Sequence, residues 1–155
     1  MGTTELQIPE SVKAEHDVIH SALVEATQAA GRVGAAARDL ADALHPHFVR
    51  EEEIALPPLG LLASLAAGQH LPEATVSEAL RMTDSLRREL LQMLKEHEAI
   101  RAAVEKLRAA ARAEGAAEYE RLAEQLALHA QAEEQVFYPA AILVGDLLRV
   151  RLQSR

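Results

Sequence analysis

Two sets of metal-binding residue types occur along the chain at nearly the same spacing. Each set begins with a histidine, and a second histidine follows 31 residues later in the first set and 32 residues later in the second. In both sets a glutamate lies four residues after the second histidine. Imidazole nitrogen and carboxylate oxygen bind iron, manganese and zinc. The duplication predicts a pseudo-symmetric metal site built by both halves of the chain. Its candidate ligands are His16, His47, Glu51, His97, His129 and Glu133.

The residues around these ligands repeat as well. The sequence Glu-His-Asp-Val-Ile at 15–19 recurs as Glu-His-Glu-Ala-Ile at 96–100, and a proline follows the second histidine of each set by ten residues, as Pro57 and Pro139. Three landmarks in common register indicate an internal duplication. The two pseudo-repeats cover about residues 12–58 and 93–140. The insertion between them covers about residues 58–90.

Composition and apolar periodicity predict helices that would position these residues. The 155 residues are enough for one domain, 1–155, and aromatic residues make up only 3% of a chain rich in Ala and Leu, which favours helix over sheet. Apolar residues and the histidines share one stripe on each of four predicted helices. The helices run from about 9 to 31, from 35 to Pro57, from 73 to 113 and from 116 to Pro139.

The short turns between these helices predict an all-α, up-down-up-down four-helix bundle. We expect a short helical insertion between the second and third helices, and a C-terminal helical tail over 142–152 that caps the bundle. Pro46 should kink the second helix. The third helix, at ~1.5 Å per residue, would be roughly 60 Å long, so it should bend near 84–88 or pack its first turns on 59–67 or on a second subunit.

Net charge and cysteine content restrict which macromolecules the protein can bind and which atoms can hold a metal. A net charge of −8 disfavours binding to nucleic acid or to an anionic membrane surface. The chain has no cysteine, so any metal must be held by nitrogen and oxygen. Neither a signal peptide nor a stretch of ~18 apolar residues is visible. The sequence therefore predicts a cytoplasmic protein without a membrane anchor.

The chain resembles a hemerythrin-like (HHE cation-binding) domain over about residues 12–140. The resemblance implies a non-haem di-iron centre in a four-helix bundle, with two bridging carboxylates, Glu51 and Glu133. It implies one iron on His16 and His47 and the other on His97 and His129. Oxygen carriers of this family have a further His-x-x-x-His pair on the third helix, whereas here the pair is His16 and His20 on the first helix, so His20 is a candidate seventh ligand.

Further residues near the ligands have more than one reading. Glutamates 15, 52, 96 and 134 face solvent, pair with arginine or accept hydrogen bonds from ligand imidazoles. Tyr138 could hydrogen-bond near the site, although a single aromatic residue at a helix end more often serves packing. His45 and His70 are expected at the surface.

Other metal sites fit the sequence less well. A ferritin-like site needs Glu three residues before His, which no histidine here has, and the zinc-protease pattern fails because Arg101 stands at the position of its second histidine. Histidine and carboxylate ligands with open positions favour a pair of iron ions over manganese or zinc.

Three functions remain open for such a centre. One is the binding, storage or sensing of dioxygen, nitric oxide or peroxide. Another is enzymatic disproportionation of peroxide or reduction of dioxygen. A third is an iron-responsive interaction module, with the insertion at 58–90 as a surface for a partner or for a homodimer.

Overall fold

The structure, a computed structural model, describes residues 6–155, and within this range every regular element is a helix. The predicted all-α four-helix bundle is confirmed. Its long helices are α1, α2, α4 and α5, and the connection between α2 and α4 holds a 3-10 helix, Pro57–Leu61, and the short α3. The helix bounds are α1 Glu10–Thr27, α2 Gly31–Ile54, α3 Leu62–Ala66, α4 Glu73–Glu114, α5 Ala117–Ala132 and α6 Tyr138–Gln153.

Tight turns make neighbouring helices antiparallel. Gly31 between α1 and α2, and Gly115 between α4 and α5, have φ values of +70° and +66°, a left-handed conformation that glycine adopts without steric cost. One face of each of the four long helices packs into a common core that includes Leu23, Leu40 and Leu107. The apolar stripes predicted from the sequence therefore meet at the centre of the bundle. None of the helices in the described range is long and apolar enough to cross a membrane.

Pro46 lies inside α2 without ending it. A proline in a helix leaves the carbonyl four residues earlier without its backbone donor. Here that carbonyl belongs to Asp42, and both residues are exposed, so water can satisfy the free oxygen. The helix therefore continues through Pro46 to the ligand residues that follow it.

The sequence predicted that the fourth helix ends at Pro139, but in the structure it continues past this residue. A π-helical turn, Glu133–Phe137, joins α5 directly to α6, and Pro139 lies in the first turn of α6. Proline is tolerated in a first helical turn because the N–H groups there lack intrahelical acceptors. The wider π turn resets the hydrogen bonding just before the proline, so the chain stays helical and the expected separate tail is a continuation of the fourth helix.

The first half of α4 extends beyond α1 and α2, as its length predicted. It packs on α6 and on the segment 57–66, and the three share a second apolar core with Leu61, Leu65, Ala79 and Leu148. A Cβ added at Gly145 of α6 would lie 2.3 Å from Oγ1 of Thr83 on α4. The two helices therefore approach each other closely at this glycine.

Gly145→Ala should destabilise the fold by about 1–3 kcal/mol, the usual cost of overpacking a core. The added methyl group meets the buried Thr83, so α4 and α6 must separate. Urea denaturation measures the difference. Leu143→Ala, at an exposed position of the same helix, is the control and should change stability by less than about 0.5 kcal/mol. Equal stability of Gly145→Ala and the native protein would contradict the close approach.

Candidate metal centre

The six repeated residues converge at one level of the bundle core. His16 comes from α1, His47 and Glu51 from α2, His97 from α4 and His129 from α5, while Glu133 opens the π turn. Each of the six is at most 3% exposed. The two i,i+4 pairs point inward because residues four apart share one helix face. A buried His/Glu cluster is therefore present where the sequence predicted a metal site.

The first group in this cluster contains His47, His97 and one oxygen of each carboxylate. The two rings lie 4.6 Å apart, and Nε2 of His47 is 2.9 Å from Oε1 of Glu51. The hydroxyl of Tyr138 lies 3.2 Å from Nε2 of each histidine and donates to Glu51. The group can offer a cation two nitrogens, two carboxylate oxygens and a phenol oxygen.

Tyr138 takes the less favoured of its two roles, since the sequence allowed a hydrogen bond near the site but favoured packing at a helix end. Its side chain is 1% exposed and belongs to the cluster. The π turn places it there, because the extra residue in the turn rotates the following helix relative to a regular α-helix. No sequence signal marks such a turn, although the nine-residue spacing from His129 placed the tyrosine close to the cluster.

The second group contains His16, His129 and the other oxygen of each carboxylate. The rings lie 4.7 Å apart. Oε2 of Glu133 is 3.7 Å from Nε2 of His16 and 3.4 Å from Nε2 of His129. Tyr138 has no counterpart in this group, so it has fewer donor atoms than the first.

Both carboxylates span the two groups. Oε1 of Glu51 faces His47, and its Oε2 lies 3.7 Å from Nε2 of His16. Oε1 of Glu133 lies 3.5 Å from Nε2 of His97, and its Oε2 faces His129. A carboxylate with one oxygen towards each group is in position to bridge two cations.

The histidines pair differently from what the resemblance implied. It placed His16 with His47 and His97 with His129, whereas the structure puts His47 beside His97 and His16 beside His129. Helix adjacency alone does not decide this pairing, because α1 also lies against α2 and α4 also lies against α5. His20, the seventh predicted ligand, is exposed, one turn from His16, and is not among the residues that converge in the core.

The unpaired atoms of the cluster test whether a cation fits. Nε2 of His16, Nε2 of His129 and Oε2 of Glu51 and of Glu133 are all buried without a hydrogen-bond partner. All four atoms belong to the second group. An unpaired buried polar atom costs about 1–3 kcal/mol, so four facing one point would be a large cost in an unoccupied site. A cation bound by these atoms removes that cost, and the donor set therefore fits a metal ion.

Neighbouring carboxylates raise the pKa of three of the cluster histidines, His47, His97 and His129. Burial lowers the pKa of His97, but the carboxylates of Glu133, Glu51 and Glu134 outweigh burial and raise it to about 10. For His129, Glu133 and Glu15 likewise outweigh burial and raise the pKa to about 9. Without metal, protons on these rings compensate the buried carboxylates. Metal binding must therefore release protons.

A second layer of carboxylates contacts the outer nitrogens of the rings. Nδ1 of His47 donates to Glu96 on α4 at 3.0 Å, Nδ1 of His97 to Glu134 at 2.8 Å, and Nδ1 of His129 to Glu15 on α1 at 3.0 Å. Nδ1 of His16 lies 3.5 Å from Glu52 on α2, too far for a good hydrogen bond. The four contacts are His16–Glu52, His47–Glu96, His97–Glu134 and His129–Glu15.

These contacts form a closed ring, since each runs from one helix of the bundle to the next and the last returns to α1. An Nδ1–H donated outward leaves the inward Nε2 as the unprotonated, metal-binding nitrogen. Glu15, Glu96 and Glu134 thus accept hydrogen bonds from the cluster histidines, one of the roles considered from the sequence, and Glu134 also pairs with Arg101. Glu52 does not accept a hydrogen bond from His16. His45 and His70 are exposed, as expected.

Comparison of the chain with protein-family models, with curated proteins and with solved structures finds no match. The description of the centre therefore depends on the residues and their geometry.

Removing a bridging carboxylate should lower metal content and stability together. Glu51→Ala and Glu133→Ala each take one oxygen from both groups, so metal-loaded variants should hold at most one ion per chain and unfold at a lower temperature. Elemental analysis and calorimetry measure the two effects. Glu53→Ala, at an exposed position of α2, is the control and should match the native protein. Native metal content in both bridging variants would contradict the model.

Glu96→Ala should weaken metal binding about 10–100-fold, the usual effect of losing an acceptor behind a ligand histidine. Glu96→Gln keeps an oxygen that can accept from His47, so it should lose much less. Competition with a chelator of known affinity measures both. The control is Glu98→Ala, on the same helix and exposed. Equal losses in the alanine and glutamine variants would mean that charge, and not orientation of the ring, is what Glu96 supplies.

Proposed function

We propose that this protein is a non-haem di-iron protein that binds dioxygen, nitric oxide or peroxide at the buried His/Glu cluster. The proposal takes up the resemblance to hemerythrin-like domains, with the ligands paired as the geometry places them. One iron would be held by His47, His97 and Tyr138, and the other by His16 and His129. Glu51 and Glu133 would bridge the two.

The observation that carries the proposal is the set of four unpaired buried atoms on the His16 and His129 side of the cluster. They provide two nitrogens and two oxygens, fewer than the six ligands of an octahedral ion. The neighbouring group has the phenol oxygen of Tyr138 in addition. The position between His16 and His129 is therefore where a small exogenous molecule has room to bind. Two bound irons would supply the electrons for reducing such a molecule.

The protein part of the site controls access and protonation. All six residues are almost fully buried, so bulk water is kept away from the centre. The bridging carboxylates offer negative charge that stabilises oxidised metal, and the outer glutamates keep the imidazole rings oriented. A small, uncharged molecule can enter such a site more easily than a charged substrate.

Tyr138 supports a second candidate function, enzymatic reduction of dioxygen or disproportionation of peroxide. Its hydroxyl donates to Glu51 inside the cluster. Burial, together with the charges of Glu51 and Glu133, raises the pKa of Tyr138 far above its usual value, so the hydroxyl is protonated in the metal-free protein. In this second function the hydroxyl would keep its proton instead of binding iron, and it could then donate a hydrogen bond or a proton to a bound oxygen species. Repeated turnover with peroxide, absent in Tyr138→Phe, would distinguish the enzyme from a carrier.

The proposal predicts two iron ions per chain in protein from iron-supplemented cells. Anaerobic reduction should bleach the visible absorption, and exposure to air or nitric oxide should produce a new band. His129→Gln should hold about one ion and lose the new band, because it removes a ligand from the position with room for the exogenous molecule. His70→Gln, an exposed histidine away from the cluster, is the control. One zinc ion, or no metal, in the native protein would refute the proposal.

A further inference from the structure

A surface pocket lies directly outside the second group of the cluster, between α1 and α2. Its volume is about 230 Å³, and the buried ring of His16 forms part of its wall. Two larger surface cavities, of about 420 and 500 Å³, contain none of the six cluster residues. The residues of this pocket that matter here are Lys13, Asp17, His20, His45, Phe48 and Glu52.

We infer that this pocket, which we call the loading pocket, is where a divalent cation binds first on its way to the buried centre. The inference deepens the proposed function and rests on it. It gives His20 the role of a transient ligand at the entrance, and not that of a permanent ligand in the core.

The side chains in the loading pocket are those that bind a divalent cation. The rings of His20 and His45 lie 6.2 Å apart across the two helices. Metal–nitrogen bonds of about 2 Å allow one ion to lie between two imidazoles at such a separation after a small rotation of either ring. Asp17 and Glu52 add carboxylates to the same wall.

The loading pocket reaches the centre through Glu52 and His16. Nδ1 of His16 is buried and has no hydrogen-bond partner, although Oε1 of Glu52 is 3.5 Å away. The other three outer glutamates hold their histidines at 2.8–3.0 Å. Of the four outer contacts, this is the loose one. Glu52 can therefore turn outward to a cation in the pocket without breaking a hydrogen bond to the ring.

Lys13 currently occupies the place of a cation in the loading pocket. Its ammonium group lies 2.8 Å from Asp17 and 3.4 Å from Glu52. Both carboxylates are therefore paired with a side-chain cation that an incoming metal ion would have to displace. Since these groups are more than a third exposed, the pairing is weak and exchange is easy.

The His16 ring is the barrier between the loading pocket and the core. It stacks on Phe48 with ring centres 4.3 Å apart. Its outer nitrogen lies beside Glu52, and its inner nitrogen lies beside the bridging carboxylates. A rotation of this ring over Phe48 passes an ion from the outer side to the inner side.

The test is the rate at which metal-free protein takes up Co²⁺, followed by visible absorption in a stopped-flow instrument. The variant His20→Gln/His45→Gln removes both entrance histidines. We expect its uptake rate at low Co²⁺ concentration to fall about tenfold, the lower end of what losing a metal-orienting group costs. Its final content should equal that of the native protein. His70→Gln is the control and should load at the native rate.

A second variant tests whether the ammonium group of Lys13 slows the uptake of Co²⁺. Lys13→Met removes the competing cation and leaves Asp17 and Glu52 unpaired, so uptake should become faster, most clearly at low ionic strength. Slower uptake by Lys13→Met would overturn the loading role, because freeing two carboxylates on the path of a cation should speed its uptake.

The two proposals fail in different ways. A native protein that takes up no Co²⁺ refutes the metal centre itself. A native protein that takes up two ions, with an unchanged rate in His20→Gln/His45→Gln, overturns the loading pocket alone. A lower final content in that variant also overturns it, because His20 would then be a permanent ligand of the centre. A slower rate with full final content supports the inference.

Discussion

The burial of two carboxylates among four histidines, at one level of the bundle, is the constraint on which the rest of the structure depends. Glu51 and Glu133 are at most 1% exposed, and a buried carboxylate without a compensating charge costs several kcal/mol. Protons on the histidines supply that charge in the absence of metal, as the raised pKa of His97 and of His129 indicates. Metal ions would supply it without leaving the second group of atoms unpaired. The helices must therefore keep a fixed register, since a slip of one residue would turn a carboxylate away from its partners.

The outer glutamates carry this constraint from the core to the bundle as a whole. Each ligand histidine is followed outward by a carboxylate of the neighbouring helix, and the four contacts close a ring around the core. Such a ring fixes both the orientation of the imidazoles and the lateral order of the helices. Its one loose contact, between His16 and Glu52, coincides with the surface pocket. Three contacts thus hold the imidazole rings, and in the loading-pocket proposal the fourth would leave a way in.

Much of this could be predicted from the sequence, because helix periodicity and ligand spacing are local properties. The four helices, the inward position of the six residues and the extra length of α4 follow from periods of three and four residues. The pairing of the histidines could not be predicted, since each helix has two neighbours in the bundle and helical periodicity does not say which neighbour's histidine a ring approaches. The π turn could not be predicted either. In the sequence, Pro139 and Pro57 both indicate the end of a helix, and only Pro57 follows one. Tyr138 entered the site only as a consequence of that turn.

The difference between the two halves explains how a duplicated sequence gives an asymmetric centre. The residue nine positions after His129 is Tyr138, and the residue nine positions after His47 is Leu56. In the first half the chain leaves the helix there and continues into a 3-10 helix, and Leu56 is buried in an apolar core. In the second half the π turn keeps the chain helical and brings a hydroxyl to His47 and His97. One group of the cluster thus has a polar side-chain atom that the other lacks. In the proposed function, the exchangeable molecule would bind at the group without the tyrosine, because that group offers a cation fewer donor atoms.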